Sequence, residues 1–371
     1  MSAGKLSIGV DATYLPYDNR GMGRVVRNVL NAWKDSGIKH EIVLLAKSEK
    51  YLRALEKTVP KFRTGLGASC ADLDVTWFPW NRMDWKAKKS AVTIHDMAPF
   101  AEGLPSSAAD RSRFLHAAED SDHIITISDF SRDEIIKYAK VSPDKITVVL
   151  NGVERAFSPG EPVRKESFLA ERTGGRPYCL YVGNLEPRKG LARLLEAFAL
   201  ISDKVPHVLV VSDAPPSPVT LGAKLEALVN RHRRYEVKNK ETVLSKAAVL
   251  GDRLIWACRP EENLLIDYYR YCDLFIGPSV YEGFFLPMLE AMACGAPVAA
   301  ARRASLPQVG GDVPVWFDPD DIVSFAETLR QCLLRTDEER QAARENGLKR
   351  AQEFSWSKTA EGILRVLERL A

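Results

Sequence analysis

Short, continuous, β-branched apolar runs alternate with helical patterns from one end of this chain to the other. In the first half "LSIGV", "EIVLLA", "DVTWF", "AVTIHD", "HIITIS" and "ITVVLN" read as buried strands, because they are continuous, β-branched and bounded by turn residues. Between the first two, Val25, Val26, Val29, Leu30 and Trp33 recur on one helical face. That rhythm is βαβ organisation. Parallel strands need crossover helices, and strands apolar throughout are covered on both faces. The second half repeats the scheme with "YCLYV", "HVLVVS", "RLIWA", "LFIGPS" and "PVAAA", and with a helix stripe of Leu191, Leu194, Leu195, Phe198 and Ala199. A length of 371 residues suits two domains. The expected fold class is therefore α/β, with two doubly wound Rossmann-like domains facing a cleft. Residues 151–166, "NGVERAFSPGEPVRKE", lose periodicity and gather Gly and Pro, which marks a linker. The expected division is 1–160 and 161–354, with a closing amphipathic helix over 355–371 packing back on the first domain.

Composition narrows the function classes. A net charge of +3 does not argue for nucleic acid as a bulk partner. No apolar run reaches the roughly 20 residues a membrane span needs, and "MSAGKLSIGVDATYL" reads as a first strand, not a signal peptide. The expected location is the cytoplasm. Cys70, Cys179, Cys258, Cys272, Cys294 and Cys332 are scattered without a C-x-x-C pair, so reduced core thiols are expected and no metal site. The basic run "RHRRYEVKNK" (231–240) is foremost a solvated helix face, with an acidic lipid surface or a phosphate as the alternative.

Ligands of open parallel sheets bind beyond the carboxyl ends of strands, where helix N-termini point. Three loops there carry unusual residues. In "DATYLPYDNRGMGR", Gly21 and Gly23 allow close backbone approach to a ligand, although Val26 stands where a dinucleotide fingerprint needs a third glycine. In "VGNLEPRKGL", Arg188 and Lys189 sit at a helix start against the macrodipole, a conflict that a bound phosphate resolves. In "YEGFFLPMLEAMACGAPV", Pro287 fits the first helical position and Glu290 the first turn, while Glu282 precedes the turn. Two carboxylates so placed are suited to accepting hydrogen bonds from sugar hydroxyls. Metal-assisted sugar transfer would use a D-x-D triplet instead, and "DLD" (72–74) and "DPD" (318–320) match it by letters.

"VGNLEPRKG" together with "EGFFLPMLEAMACGAPV" resembles the paired signature of the retaining, GT-B-fold glycosyltransferases with an E-x7-E motif, of the group 1 and family 4 type. "RGMGRVVRNVL", "TIHDMAPF", "ISDFSRDEI", "VLNGVERAF" and "FSWSKTAE" extend the resemblance over nearly the whole chain in order. It implies Glu282 at the transferred sugar and diphosphate, Glu290 at the ribose hydroxyls, and Arg188 with Lys189 at the diphosphate. It places Gly21 and Gly23 in the glycine loop closing over the donor, His95 in the active site and Asp96 on the acceptor side. It adds Asn184, Gly283, Phe284, Phe285 and Leu286 to the donor site and sets the base pocket near Cys258 and Arg259. The implied partners are a nucleotide-sugar donor, GDP-mannose ranked ahead of UDP-glucose and UDP-GlcNAc, and a saccharide or lipid-linked glycan acceptor. The implied setting is cell-surface glycan synthesis, with peripheral contact at the inner membrane surface and no cofactor or metal. The alternatives are a glucosyl-, rhamnosyl- or GlcNAc-transferase using a UDP- or dTDP-sugar, a non-catalytic nucleotide-sugar-binding scaffold and, more weakly, a nicotinamide oxidoreductase. Three positions depart from the pattern: Phe285 where a small residue is common, Gln308 where Glu is usual, and "APPSP" in place of a glycine-rich turn after "HVLVVSD".

Overall fold

The computed structural model describes residues 4–18, 21–59, 62–67, 72–101, 104 and 106–371, with the side chains of Pro162, Val229, Arg231 and His232 outside that set. Cys70 and, in the first loop, Asn19 and Arg20 lie outside the described residues. The chain forms two compact units: Met1–Glu102, Ser106–Glu154 and Phe354–Ala371 make the first, and Gly103–Pro105 with Arg155–Glu353 the second.

In the first unit, strands β1 (Ser7–Asp11), β2 (Glu41–Ala46), β3 (Arg63–Leu66), β4 (Val75–Phe78), β5 (Ser90–Ile94), β6 (His123–Thr126) and β7 (Ile146–Val148) form one sheet in the order β3-β2-β1-β4-β5-β6-β7. Every pairing is parallel, with Ile8 of β1 opposite Ile42 on one side and Val75 on the other. The crossovers include helices α1 (Met22–Asp35), α2 (Glu49–Thr58), α3 (Ala108–Asp120) and α4 (Asp129–Ala139). One face of the sheet packs Phe78, Val92, Ile94 and Ile124 against α3 and α4. β3 is the strand that periodicity does not reveal: it is an edge strand reading Arg-Thr-Gly-Leu, with no fully buried residue.

The second unit carries β8 (Tyr178–Tyr181), β9 (Val208–Val211), β10 (Leu254–Trp256), β11 (Leu274–Gly277), β12 (Val298–Ala301) and β13 (Val315–Phe317), all parallel, in the order β10-β9-β8-β11-β12-β13. Its helices are α5 (Lys165–Thr173), α6 (Leu191–Ala199), α7 (Leu221–Val229), α8 (Arg231–Leu250), α9 (Glu262–Tyr271), α10 (Leu286–Ala293), α11 (Leu306–Gly310), α12 (Ile322–Leu333) and α13 (Asp337–Ala351). β8, β9, β11 and β12 are buried at every position, as strands covered on both faces must be.

The last helix, α14 (Trp356–Leu370), belongs to the first unit and packs on α1 and β4. Trp33 Nε1 donates to the Ala360 carbonyl at 2.9 Å, and Val153 forms a parallel bridge with Ser355. The stretch 151–166 divides accordingly. Asn151 and Gly152 are buried, Gly152 against the amino end of α14, whereas Phe157 is buried beside Tyr269 of α9, and the Ser158 carbonyl accepts from Arg270. Among the described residues no helix is long and apolar enough to cross a membrane.

Candidate functional site

The strand order of the second unit reverses between β8 and β11: β8, β9 and β10 step one way, β11, β12 and β13 the other. At such a switch point the loops leaving the two strands diverge and open a crevice at their carboxyl ends. The loop after β8 carries Arg188 and Lys189; the loop after β11 carries Glu282. Gly190 makes their approach possible. Its φ is +76°, and a Cβ there would stand 2.2 Å from the Pro278 carbonyl oxygen. The Val280 N–H donates to the Arg188 carbonyl at 2.8 Å and ties the loops together.

On this support the two cations converge on one carboxylate. Lys189 Nζ donates to Glu282 Oε1 at 2.6 Å, and Arg188 donates to Glu282 Oε2 and to the Tyr281 carbonyl, each at 3.2 Å. Glu282 is buried, and its own carbonyl accepts from Ser305 Oγ at 2.8 Å. A buried carboxylate persists as an ion only with such partners. The conflict with the macrodipole is thus settled differently from the sequence reading: Pro187–Lys189 form a separate 3-10 turn ahead of α6, and Glu282 supplies the counter-charge. Arg188 also donates to Glu186 at 2.7 Å, and although burial pushes the Glu186 carboxyl up, Arg188 and Asn184 outweigh it and hold it below its usual range.

Glu290 sits apart from this cluster in its bonding. It is the fifth residue of α10, in the second turn and not the first, and Pro287 is the second helical residue. Since the effect falls off within the first turn, the dipole of α10 does little at that depth for the Glu290 carboxylate. It is buried and accepts from the Tyr269 hydroxyl of α9 at 2.8 Å. Phe285 opens α10 with φ +73°, a conformation that favours glycine. Its ring turns onto the sheet, beside Phe275 and over Gly277, where an added Cβ would meet it at 2.7 Å. Lys189 Nζ lies 5.8 Å from the ring centroid. Gly283 and Phe284 are buried and Leu286 is half-buried. Asn184 is exposed and shapes its own turn, accepting from the Glu186 N–H at 3.1 Å while its carbonyl accepts from Tyr181.

Cys258 and Arg259 follow β10, two strands from β8. Both have positive φ, +54° and +58°. The Arg259 N–H donates to the Ser212 carbonyl at 2.7 Å, and its guanidinium pairs with buried Asp213. Cys258 is exposed, which corrects the expectation of a core thiol there; Cys179, Cys272, Cys294 and Cys332 are buried. Burial pushes the Cys272 thiol up to about 12. The Gln308 carbonyl accepts from Arg350 at 2.6 Å.

In the first unit the order reverses between β1 and β4. Gly21 caps α1 with φ +56°, and nothing would meet a Cβ there. Gly23 is required by its own loop: a Cβ would lie 2.0 Å from the Asp18 carbonyl oxygen, and its N–H donates to Asp18 Oδ2 at 3.0 Å. His95 follows β5 and is buried. Its Nε2 donates to the Pro79 carbonyl at 2.9 Å, which assigns the proton to Nε2 and leaves Nδ1 as the acceptor; burial holds the pKa below the usual histidine range, so the ring is neutral. Asp96 accepts from the Ala98 N–H at 2.9 Å and caps the next turn. The residue that sequence reasoning missed is Asp11, at the carboxyl end of β1. It is fully buried, Oδ1 takes the Thr13 N–H and hydroxyl at 3.0 and 2.6 Å, Oδ2 is unpartnered, and burial raises its pKa to about 7. The signal was an aspartate closing the apolar run "SIGVD".

Three of the four D-x-D carboxylates have local partners, and Asp72 is exposed. Asp74 accepts from the Ser7 N–H and hydroxyl, and Asp318 and Asp320 both pair with Arg303.

The family model described as Glycosyl transferases group 1 matches residues 163–350, and that of Glycosyltransferase Family 4 matches residues 19–157. The O-antigen chain mannosyltransferase B of Escherichia coli is 31% identical over 283 residues, which are 73% of this chain and 68% of that protein. The serotype-specific mannosyltransferase WbdA of Escherichia coli is 26% identical over 306 residues, 78% of this chain but only 35% of that longer protein. Among solved structures, Anabaena Alr3699/HepE in complex with UDP and glucose superposes with a TM-score of 0.73 at 16% identity, over 98% of this chain and 100% of that one. The chain therefore belongs to the glycosyl transferases group 1 family and is a glycosyltransferase with the GT-B fold.

Proposed function

We propose that this glycosyltransferase is a retaining, metal-independent mannosyltransferase that moves mannose from GDP-mannose to a saccharide or lipid-linked acceptor in cell-surface glycan synthesis. The observation that carries the reading is the convergence of Arg188 and Lys189 on Glu282 at the β8–β11 switch point. Breaking the C1–O bond of a nucleotide sugar builds negative charge on the departing diphosphate, and fixed cations aimed at that charge are the largest catalytic contribution available. The amino ends of α6 and α10 add partial positive charge at the same strand ends. The acceptor oxygen bonds to C1 from the leaving-group face as the C1–O bond breaks, and its proton passes to a phosphate oxygen, so no dedicated protein base is needed. Glu290 is assigned to the ribose hydroxyls, Cys258 and Arg259 to the base, and Asn184, Gly283, Phe284, Phe285 and Leu286 to the remaining donor contacts. In the first unit Gly21 and Gly23 are assigned to the donor, Asp96 to the acceptor, and His95, neutral with Nδ1 as acceptor, to a sugar hydroxyl. Mannose as the sugar is supported by the mannosyltransferase relatives.

The test is calorimetric titration of the protein with GDP, UDP, dTDP and ADP, followed by the matching sugar nucleotides. A base pocket leaves a wrong base edge unpaired, so GDP is expected to bind at least about tenfold more tightly than the others. A tighter fit to UDP or dTDP transfers the reading to a glucosyl-, rhamnosyl- or GlcNAc-transferase. No binding of any nucleotide replaces it with a scaffold role.

A further inference from the structure

We propose that the α7–α8 hairpin of the second unit docks this protein on an anionic bilayer surface, α7 inserting its leucines at headgroup depth and α8 holding lysines over the lipid phosphates. Two independent observations support this. The first is apolar. α7 is capped by Thr220, whose hydroxyl accepts from the Ala223 N–H at 3.2 Å, yet of its residues with described side chains only Ala227 is buried. Leu221, Leu225 and Leu228 are 74%, 57% and 68% exposed. Their spacing of four and three places them on one face, a stripe about 10 Å long at 1.5 Å per residue. α8 packs against α6, with Asn239 donating to the Leu185 carbonyl and Lys246 pairing with Glu196. It carries α7 through Lys224–Glu241 and through Arg234, which donates to the Ala227 and Leu228 carbonyls. The leucine stripe is therefore held out on a second helix.

The second observation is charge. Residues 220–250 contain seven basic and three acidic side chains, a net +4, more than the +3 of the entire chain. The rest of the protein is thus close to neutral, and the chain's net excess of positive charge lies on this hairpin. Arg233 is tied to Glu226 and Glu236, whereas Lys238 and Lys240 are exposed and form no ion pair among the described residues. A short helix with leucines on one face and neighbouring free lysines fits an interface of apolar chains beneath anionic headgroups. An acidic protein would satisfy the lysines but would have to supply a groove for a convex helix, whereas a bilayer yields to it.

The experiment is co-sedimentation of the full chain with vesicles of phosphatidylcholine alone or with about 30 mol% phosphatidylglycerol. The expected result is capture by the anionic vesicles and not by the neutral ones. Replacing all three leucines together (Leu221→Ser, Leu225→Ser, Leu228→Ser) should weaken capture at least about tenfold, and Lys238→Glu with Lys240→Glu should remove the preference for phosphatidylglycerol. These side chains are exposed, so an unchanged unfolding temperature and unchanged nucleotide titration accompany the loss. The proposal is overturned if the wild type stays in the supernatant with both vesicles, or if the leucine variant is captured as well as the wild type. It is equally overturned if light scattering shows a dimer that the leucine changes break while vesicle capture is unaffected. None of these outcomes depends on which sugar the protein transfers.

Discussion

Glu282 has two partners in this structure, and that sets the outcome of changing either. On the proposed assignment, removing Lys189 takes charge away from the departing diphosphate, and in this structure it leaves a buried carboxylate with Arg188 as its remaining cation at 3.2 Å. Lys189→Ala is expected to lower kcat by about a hundredfold or more and to cost about 1–3 kcal/mol of stability, with Arg188→Ala milder in rate. Steady-state rates beside thermal unfolding separate the two effects, and wild-type turnover in both variants would refute the diphosphate assignment. Glu290→Gln should behave otherwise. Glutamine keeps an oxygen for the Tyr269 hydroxyl, so the fold is retained, while the proposed ribose hydrogen bonds, present before and during reaction, would be weakened. The donor KM should rise with little change in kcat, because such binding is uniform along the reaction.

At the scale of elements, two stretches that are far apart in the chain are fitted to each other. Gly152 passes the amino end of α14 so closely that a Cβ would stand 2.2 Å from the Trp356 nitrogen, and Thr359 Oγ1 donates to the Leu150 carbonyl at 2.7 Å. Backbone cannot move aside as a side-chain tip can. Gly152→Ala should therefore destabilise the first unit by about 1–3 kcal/mol, the usual cost of overpacking, and denaturant unfolding with an unchanged slope is the measurement. A midpoint equal to wild type would show that α14 shifts freely. "NGV" and "FSW" were both visible in the sequence, but not that they meet, because periodicity reports on neighbours along one element only. The same limit explains the strands. The inner strands, among them β1, β4, β8 and β11, were legible because both faces are buried, so the run is mostly apolar or β-branched instead of alternating. The edge strands β3 and β13 were not, since Arg-Thr-Gly-Leu and Val-Trp-Phe lack the longer apolar run by which the edge strands β7 and β10 could still be read. In the site, residue types were readable and pairings were not. Lys189 and Glu282 are 93 positions apart, and only the β8–β11 adjacency joins them.

For the molecule as a whole, one topological device is used twice: each sheet reverses its strand order once, and each reversal leaves glycine-containing or charged loops at strand ends. Arg188 and Lys189 are side-chain cations fixed in place by Glu282, while Asp74 of the first D-x-D triplet bonds to Ser7 and Asp318 and Asp320 of the second pair with Arg303. If these cations carry the charge of the leaving diphosphate, transfer by the complete protein should proceed at an unchanged rate in EDTA. Restoration of a lost rate by added magnesium would assign that task to a metal instead. The proposed mechanism also sets a stereochemical expectation. If the acceptor hydroxyl passes its proton to a diphosphate oxygen, it attacks C1 from the face the diphosphate leaves, and the product should keep the anomeric configuration of the donor. Proton–carbon coupling at the new anomeric centre, measured by NMR before the product can equilibrate, reads this directly. An inverted centre would require a base on the opposite face and would end the retaining mechanism, while leaving the family assignment intact.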